Sequence, residues 1–470
     1  MSAPTTVRYR ILALACSLSM LTYVDRVALS VASGSIVETL HLNSIADLKW
    51  AFAIFAFCYA MFEIPTGWWG DMRGPRHTLL RIVVWWSVCV ALIGATGLQI
   101  GGIVLGLGFL ILVNAIFGIG EAGAYPNLNR ALYGWFPAEE RGLAQGSLWM
   151  CAKLAGGLTP VLWMILVQGV DLRPLGASLT LSPILPSWRS AFFLFGVIGM
   201  VWCLLFWKFF RNHPREIAAV NDAELELIES GQKAALAGHG KVPWKRIFSS
   251  RNLWFLCLMY GCQAYGWYFN ITYLPRFLEQ QYHVTPDSLV GSIYKGGPLW
   301  MGAIGCLLGG ILTDRFVKRT ASRKMGRRIC GLVGHAGCVC CFLIAPYMTT
   351  AFGFFLVISL AAFFTDSSVP SAWAICQDIG HRYTAIVSAI MNTTAGLFGA
   401  LAGIVTGYVL EHHLSLHAAR LNTPVTALTS AQQCDGLMGG YHTVFLIFAV
   451  AYLIAFASWF FIDAEKPVCP

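Results

Sequence analysis

Residues 11–31, ILALACSLSMLTYVDRVALSV, form an apolar run long enough to cross a bilayer as one helix, yet an Asp–Arg pair lies within it. A hydrocarbon core of about 30 Å needs roughly 20 apolar residues. An ionised side chain at its centre costs roughly 2.5–3.5 kcal/mol on insertion scales, so it usually faces a protein interior or a watery cavity. Asp25 and Arg26 therefore mark either a buried polar site or a helix end from which both side chains reach the headgroups.

Charged side chains are too scarce for a soluble protein. Only 12% of the 470 residues are charged and 57% are apolar, whereas soluble domains carry about 25% charged residues. We therefore predict an all-α, multi-pass membrane protein with twelve transmembrane helices. Their predicted ranges are 9–31, 50–70, 78–99, 102–126, 142–168, 189–209, 252–278, 291–313, 328–348, 351–376, 384–410 and 441–462.

The basic residues lie in alternate connections between these runs. Arg73 and Arg76 follow the second run, Arg130 and Arg141 follow the fourth, and residues 315–328 form a basic stretch between the eighth and ninth. Cytoplasmic loops carry an excess of Lys and Arg. We therefore expect these connections and both termini in the cytoplasm, and the chain in a cell membrane, the inner membrane of a bacterium. The net charge of +9 then reflects topology and does not indicate a nucleic-acid partner.

A long polar insertion at residues 211–250 divides the chain into two halves. We predict an N-terminal six-helix bundle at residues 1–210 and a C-terminal one at 251–470, joined by this cytoplasmic linker. Within the linker, NDAELELIES predicts a short surface helix and GHGKVPWKR a flexible connection. A second polar insertion, residues 411–440, is expected to form a loop on the outer face.

A short motif recurs at matching places in the two halves. The second run ends in GWWGDMRGPR, residues 67–76, and the eighth in GILTDR, residues 310–315. Glycine lets helices approach closely, and an Asp can face the N-terminus of a neighbouring helix. We predict a charge network at the cytoplasmic edge that breaks and reforms; the alternative is a helix end followed by topology charges. The predicted members are Gly67, Asp71, Arg73, Gly74, Arg76, Asp314 and Arg315.

Four further stretches complete a resemblance to a known family. They are YVDR at residues 23–26, GIGEAGAYP at 118–126, WFPAEERG at 135–142, and the segment from WR at 188–189 to FRNHP at 210–214. Together with the loop motif, they make the chain similar to the major facilitator superfamily. Within it, the chain resembles the anion:cation symporter family of galactonate, hexuronate and phthalate permeases, sialin and vesicular glutamate transporters. The resemblance implies two pseudo-symmetric six-helix bundles, the major facilitator fold.

The fourth run contains a carboxyl group, that of Glu121, among glycines. Desolvation favours the neutral form of a carboxyl group, which suits it to carry a proton; the alternative is a structural carboxylate paired with a neighbouring helix. The resemblance implies that Asp25 and Glu121 are the protonation pair and that Arg26 binds the carboxylate of a substrate.

One position departs from the family pattern. These transporters often place an arginine seven residues before the fourth-span glutamate, where this chain has Asn114. Lys153 in the fifth run is the predicted replacement cation. A lysine at this depth is costly unless it is paired or faces water, so it either lines a cavity or is paired or snorkels.

The second half offers neutral donors and aromatic rings. They suit a polyhydroxylated or aromatic ligand, although isolated Trp and Tyr residues in spans often serve packing or the interfacial belt. The complete predicted substrate-binding set is Tyr23, Arg26, Lys153, Gln263, Trp267, Asn270, Ser371, Trp373 and Asn392.

These features predict a proton-coupled symporter of a small organic anion, either a sugar acid or another carboxylate. It would work by alternating access, as a monomer in the lipid bilayer, with the proton gradient and no cofactor. An antiporter or facilitator of the same anions is an alternative, and a membrane receptor is another. A membrane enzyme needs a metal cluster, a nucleophile–base pair or a cofactor motif, and the sequence has no convincing example.

Overall fold

The chain folds almost entirely into helices. The computed structural model describes residues 3–171, 180–230, 242–284 and 289–469. Within these ranges, ten helical stretches are long and apolar enough to cross a membrane, and one of them, Ala351–Arg420, contains two successive helices. The predicted all-α membrane class is confirmed, and the count of twelve spans stays a prediction.

Among the described residues up to residue 250 there are ten helices and two small antiparallel hairpins. A π-helical turn, Met164–Gln168, continues α7. The helices are α1 Val7–Val31, α2 Ser33–Thr39, α3 Lys49–Arg73, α4 Pro75–Gly94, α5 Leu107–Glu121, α6 Ala124–Trp135, α7 Arg141–Trp163, α8 Trp188–Phe209, α9 Asp222–Glu229 and α10 Trp244–Ser249. The hairpin strands are β1 Gln99–Ile100 with β2 Ile103–Val104, and β3 Val170–Asp171 with β4 Thr180–Leu181.

Among the described residues from residue 251 onward there are seven helices, which include the longest ones. They are α11 Arg251–Thr272, α12 Leu274–Tyr282, α13 Leu289–Thr320, α14 Arg323–Ile344, α15 Ala351–Gly380, α16 Thr384–Arg420 and α17 Ser430–Ser458. The expected outer loop at residues 411–440 is wrong, because α16 continues to Arg420 and α17 begins at Ser430. Residues 411–420 contain no glycine or proline to end the helix, and the first proline after them is Pro424.

The predicted fourth span is divided into two helices. Gly123 has a φ of +79°, a left-handed backbone conformation that glycine adopts without the Cβ clash of other residues. Pro126 follows in the first turn of α6 and has no N–H to continue the α5 ladder. Tyr125 therefore lies on a different helix from Asn114 and Glu121.

The chain divides into two compact units, and each unit includes a short segment from the other half of the sequence. Unit 1 comprises Met1–Pro137, Cys151–Gly240 and His381–Ala389. Unit 2 comprises Ala138–Met150, Lys241–Gly380 and Ile390–Pro470. The start of α7 thus belongs to unit 2 and the start of α16 to unit 1. Domain boundaries at residues 210 and 250 stay a prediction.

Small residues set the helix contacts inside each unit. In unit 1, a Cβ on Gly118 would lie 2.5 Å from the carbonyl oxygen of Phe55, so α5 contacts α3 through bare backbone. In unit 2, a Cβ on Gly309 would overlap the backbone of Ser367 on α15. Close approach of this kind gives the van der Waals contact that holds helices together in lipid, where the hydrophobic effect does not act between them.

The first part of the predicted linker is an integral part of unit 1. The predicted helix is confirmed as α9, but Glu224 on it is fully buried. Its carboxylate accepts hydrogen bonds from the backbone N–H groups of Val7 and Arg8, both at 3.2 Å, and from Arg8 Nη1 at 2.9 Å. It thereby binds the N-terminus of α1, where negative charge is stabilising. In the expected flexible stretch at 238–246, residues 238–241 lie outside the described residues and the end belongs to α10.

We expect Glu224→Ala to destabilise the protein by about 2–4 kcal/mol, because it leaves a buried arginine and two N–H groups without their acceptor. The exposed Glu226 on the same helix provides the control, and Glu226→Ala should be neutral. Thermal unfolding in detergent measures both. Equal midpoints for the two variants would contradict the capping role.

Candidate functional site

One face of α1 carries polar residues that reach α5 and α6 inside unit 1. The hydroxyl of Ser19 lies 3.1 Å from that of Tyr125. The Tyr23 ring meets the Tyr125 ring edge to face at 6.4 Å. One turn further on, Arg26 donates a hydrogen bond from Nε to Oε1 of Glu121 at 2.7 Å. Ser19, Tyr23 and Arg26 thus contact α5 and α6 from the same side of α1.

The Arg26–Glu121 ion pair has one accessible member. The Glu121 side chain is 1% exposed, whereas the Arg26 side chain is 29% exposed. The guanidinium carbon lies 4.7 Å from the centre of the Tyr59 ring and 5.8 Å from that of Phe55, both on α3. Aromatic faces stabilise a cation without neutralising it. Arg26 therefore keeps a partly open cationic surface on which an anion can bind.

Several polar atoms around this pair are buried without a hydrogen-bond partner among the described residues. They are Arg26 Nη2, Glu121 Oε2, Tyr59 Oη, Asp25 Oδ1 and Asn114 Oδ1. Buried polar groups are normally paired, and an unpaired one costs about 1–3 kcal/mol. A concentration of such atoms around one ion pair is typical of a site that is completed by a ligand, a proton or water.

Asp25 lies beside the pair. It is 4% exposed and interacts with Glu121 and Trp86. Two buried carboxyl groups thus lie close to each other, and the nearby Arg26 is paired with one of them. This geometry fits the predicted protonation pair, whose role stays a prediction.

Lys153 is buried on α7, and it is 4% exposed. One turn beyond it, a Cβ on Gly156 would lie 2.9 Å from the Tyr23 ring. Residues three apart on a helix share a face, so the Lys153 position lies on the side of α7 that meets α1. Its predicted contact with a substrate or with Glu121 stays a prediction.

Gln263, Ser371 and Trp373 form hydrogen bonds with other residues of unit 2. Gln263 donates to the carbonyl of Thr365 at 3.3 Å and accepts from Ser368 at 3.1 Å. Ser371 pairs with Thr313. Trp373 donates from Nε1 to the Tyr260 hydroxyl at 2.9 Å, and its ring lies 5.2 Å from that of Trp149. The half-buried members of the set are Trp267, Asn270 and Asn392.

In unit 1, the loop motif binds the N-terminus of α16. The Asp71 carboxylate accepts hydrogen bonds from the N–H groups of Ala385 at 3.1 Å and Ile386 at 2.8 Å, and Arg130 lies 3.4 Å away. Gly67 lies against the carbonyl of Ala385, where a Cβ would come within 2.8 Å. The Asp thus satisfies N–H groups that have no partner inside their own helix.

The remaining unit 1 motif residues hold the turn between α3 and α4. Gly74 has a φ of +85°. Arg76 donates to the carbonyl of Trp207 at 2.6 Å. Arg73 lies over the Trp69 ring at 5.8 Å.

In unit 2, the second copy of the motif binds the N-terminus of α7 in the same way. Asp314 accepts hydrogen bonds from the N–H groups of Gly142 at 2.9 Å and Leu143 at 2.6 Å. A fully buried arginine, Arg327, donates to Asp314 at 2.8 Å. Arg315 is exposed and lies outside this cluster.

A further buried carboxylate, Asp378, completes this network. It accepts from Arg141 at 2.6 Å and from Arg327 at 3.2 Å, and the partly exposed Arg323 lies 3.8 Å away. We name Asp314, Asp378, Arg141 and Arg327 the buried ion cluster. The sequence analysis missed Asp378 and Arg327, although an Asp at the end of an apolar run, as in CQDIG, repeats the signal that identified Asp314.

The described part of the chain is helical, with ten candidate membrane spans and a buried charged site. Its relatives are transporters, and the chain is therefore a multi-pass membrane transporter and not an enzyme. Residues 15–403 match the family model of the Major Facilitator Superfamily, and the chain belongs to this superfamily. The resemblance stated from the sequence is confirmed.

The relatives transport organic anions. The chain is 31% identical over 411 residues to the "Probable sulfoacetate transporter SauU" of Cupriavidus necator, covering 86% of this chain and 87% of that protein. It is 28% identical over 420 residues to a D-galactonate transporter of Escherichia coli, covering 86% and 89%. Among solved structures, the E. coli fucose:proton symporter matches with a TM-score of 0.64 at 15% identity, over 96% of this chain and 99% of that one. This last likeness concerns the fold.

We expect Arg327→Gln to destabilise the protein by about 3–5 kcal/mol, because two buried carboxylates lose a shared cation. Arg323 is the matched control, since it approaches the same Asp378 but is 31% exposed. Arg323→Gln should shift the unfolding midpoint in detergent far less. If the two variants unfold alike, the buried ion cluster does not hold unit 2 together.

Proposed function

We propose that the chain is a proton-coupled symporter of a small organic anion. The observation that supports this most is the Arg26–Glu121 pair, in which a partly open guanidinium shares its charge with a buried carboxylate at 2.7 Å. An arginine presents a planar fork of donors that matches an acid group. An anion that binds Arg26 thus competes with Glu121 for the same cation.

This competition couples the binding of substrate to the uptake of a proton. When the substrate's acid group takes the guanidinium, Glu121 loses its counter-ion in a buried position, and a proton from solution replaces that counter-ion. Substrate and proton then occupy the site together, and the proton offsets the charge of the acid group that binds Arg26. Asp25 provides a second buried carboxyl group that can take up a proton beside the first. A carrier that reorients only when it is empty or doubly loaded moves both solutes in the same direction.

The substrate we propose is a small acid. The relatives are named for sulfoacetate and galactonate. Both names are those of small organic anions with an acid group that a guanidinium can bind. Either a sugar acid or another small acid therefore fits the proposal.

The same proposal includes the topology. Both termini and the loop motifs lie on the cytoplasmic side of the cell membrane, because the basic connections lie there under the positive-inside rule. Uptake then runs from the outside to the cytoplasm along the proton gradient.

We expect Glu121→Gln to abolish uptake driven by a pH gradient while counterflow exchange continues. Glutamine mimics the protonated acid, so the carrier still binds and reorients but cannot release a proton. Both activities are measured with radiolabelled sulfoacetate in the same proteoliposomes. Glu63→Gln is the control, because Glu63 is equally buried, on α3, and should keep pH-driven uptake.

The outcomes separate the alternatives. Normal pH-driven accumulation by Glu121→Gln removes Glu121 from coupling. Loss of exchange as well assigns it a structural role. Insensitivity of the wild-type protein to the pH gradient identifies a facilitator.

We expect Lys153→Ala to weaken substrate affinity by roughly 10-fold or more, the effect of losing one charged contact of about 1.5–3 kcal/mol. Asn114→Arg should partly restore it, because both positions are predicted to add a cation to the Arg26 site. Affinity is measured by competition in counterflow. Lys208→Ala, an exposed lysine at the end of α8, is the control. Absence of rescue in the double variant would leave Lys153 a packing residue.

A further inference from the structure

The corner between α10 and α11 presents a row of three exposed aromatic rings. Trp244, Phe248 and Trp254 are 36%, 43% and 47% exposed. The Trp244 and Phe248 rings are stacked at 5.8 Å, and the Phe248 and Trp254 rings lie 6.4 Å apart. Trp254 also donates a hydrogen bond from Nε1 to the carbonyl of Phe248 at 2.7 Å. The three rings therefore form one apolar surface.

Basic side chains flank this aromatic row. Lys245, Arg246 and Arg251 are all exposed. The sequence from residue 242 to residue 278 contains no Asp or Glu. The nearest acids of the C-terminal tail are already engaged, because Asp463 pairs with Lys324 at 2.8 Å and Glu465 accepts from Ser322 at 2.7 Å. The corner thus has a net positive charge.

The corner is also held in place. Ile247 is fully buried beneath α10. Asn252 donates hydrogen bonds to the carbonyls of Asp463 at 2.7 Å and Lys466 at 3.1 Å, and accepts from the N–H of Asp463 at 2.9 Å. The aromatic row and its basic flank are therefore a fixed surface at the first turns of the predicted seventh span.

We propose that this corner binds the headgroup of an anionic phospholipid. Trp and Phe rings at the end of a span prefer the interface between headgroups and hydrocarbon. Each Lys or Arg close to an anionic leaflet contributes about fivefold to binding. A soluble anion would satisfy the cations but would leave the three rings in water, so the observations favour a lipid of the bilayer. The proposal does not depend on which substrate is carried.

The test is a titration of the purified full-length chain in detergent with phosphatidylglycerol or phosphatidylcholine, followed by native mass spectrometry. Lys245→Gln with Arg246→Gln should lower phosphatidylglycerol affinity roughly 10- to 30-fold, at about fivefold per side chain, and leave phosphatidylcholine binding unchanged. Trp244→Ala with Phe248→Ala should weaken the binding of both lipids. The control pair is Lys318→Gln with Arg319→Gln, exposed basic residues at the end of α13 in the same unit.

Equal losses from the α10 pair and the control pair would overturn the proposal, because they would show general charge attraction. Displacement of phosphatidylglycerol from the wild-type protein by millimolar inorganic phosphate would overturn it too, since the corner would then bind a free anion. Unchanged unfolding midpoints confirm that the exposed substitutions leave the fold intact.

Discussion

The structure depends on one constraint, the cost of keeping ionised side chains in an apolar medium. A charge at mid-membrane persists only beside an opposite charge, a dense set of hydrogen-bond donors or water. Inside unit 1, Arg26 and Glu121 meet this condition with each other. Inside unit 2, Asp314 and Asp378 meet it with Arg327 and its neighbours. Each group of charges is stabilised because its members pair with one another.

Helix α1 takes part in two buried charged contacts of unit 1. At its N-terminus, Glu224 of α9 accepts hydrogen bonds from the first backbone N–H groups, and about five turns later Arg26 reaches Glu121. The site and the first part of the linker are thus attached to one rigid element of unit 1.

The sequence reveals charged residues wherever they interrupt an apolar run. Asp25, Arg26 and Glu121 were predictable for this reason, and the structure brings Arg26 and Glu121 together. Arg327 was not predictable, because it lies in a basic stretch where topology alone accounts for positive charge. The pairing of Gln263 with α15 was also hidden, since a polar residue on a helix face looks the same whether its partner is a ligand or a neighbouring helix. The break at Gly123 depends on a backbone conformation that the glycine permits but does not require.

In the proposed coupling, substrate and Glu121 compete for Arg26, so that substrate binding draws a proton into the site. Isothermal titration calorimetry tests this directly when the same substrate is titrated in two buffers of different ionisation enthalpy. The wild-type protein is expected to take up about one proton per bound substrate, and the Glu121→Gln variant is expected to take up none. Binding without proton uptake in the wild-type protein, or the same uptake in both proteins, would contradict it.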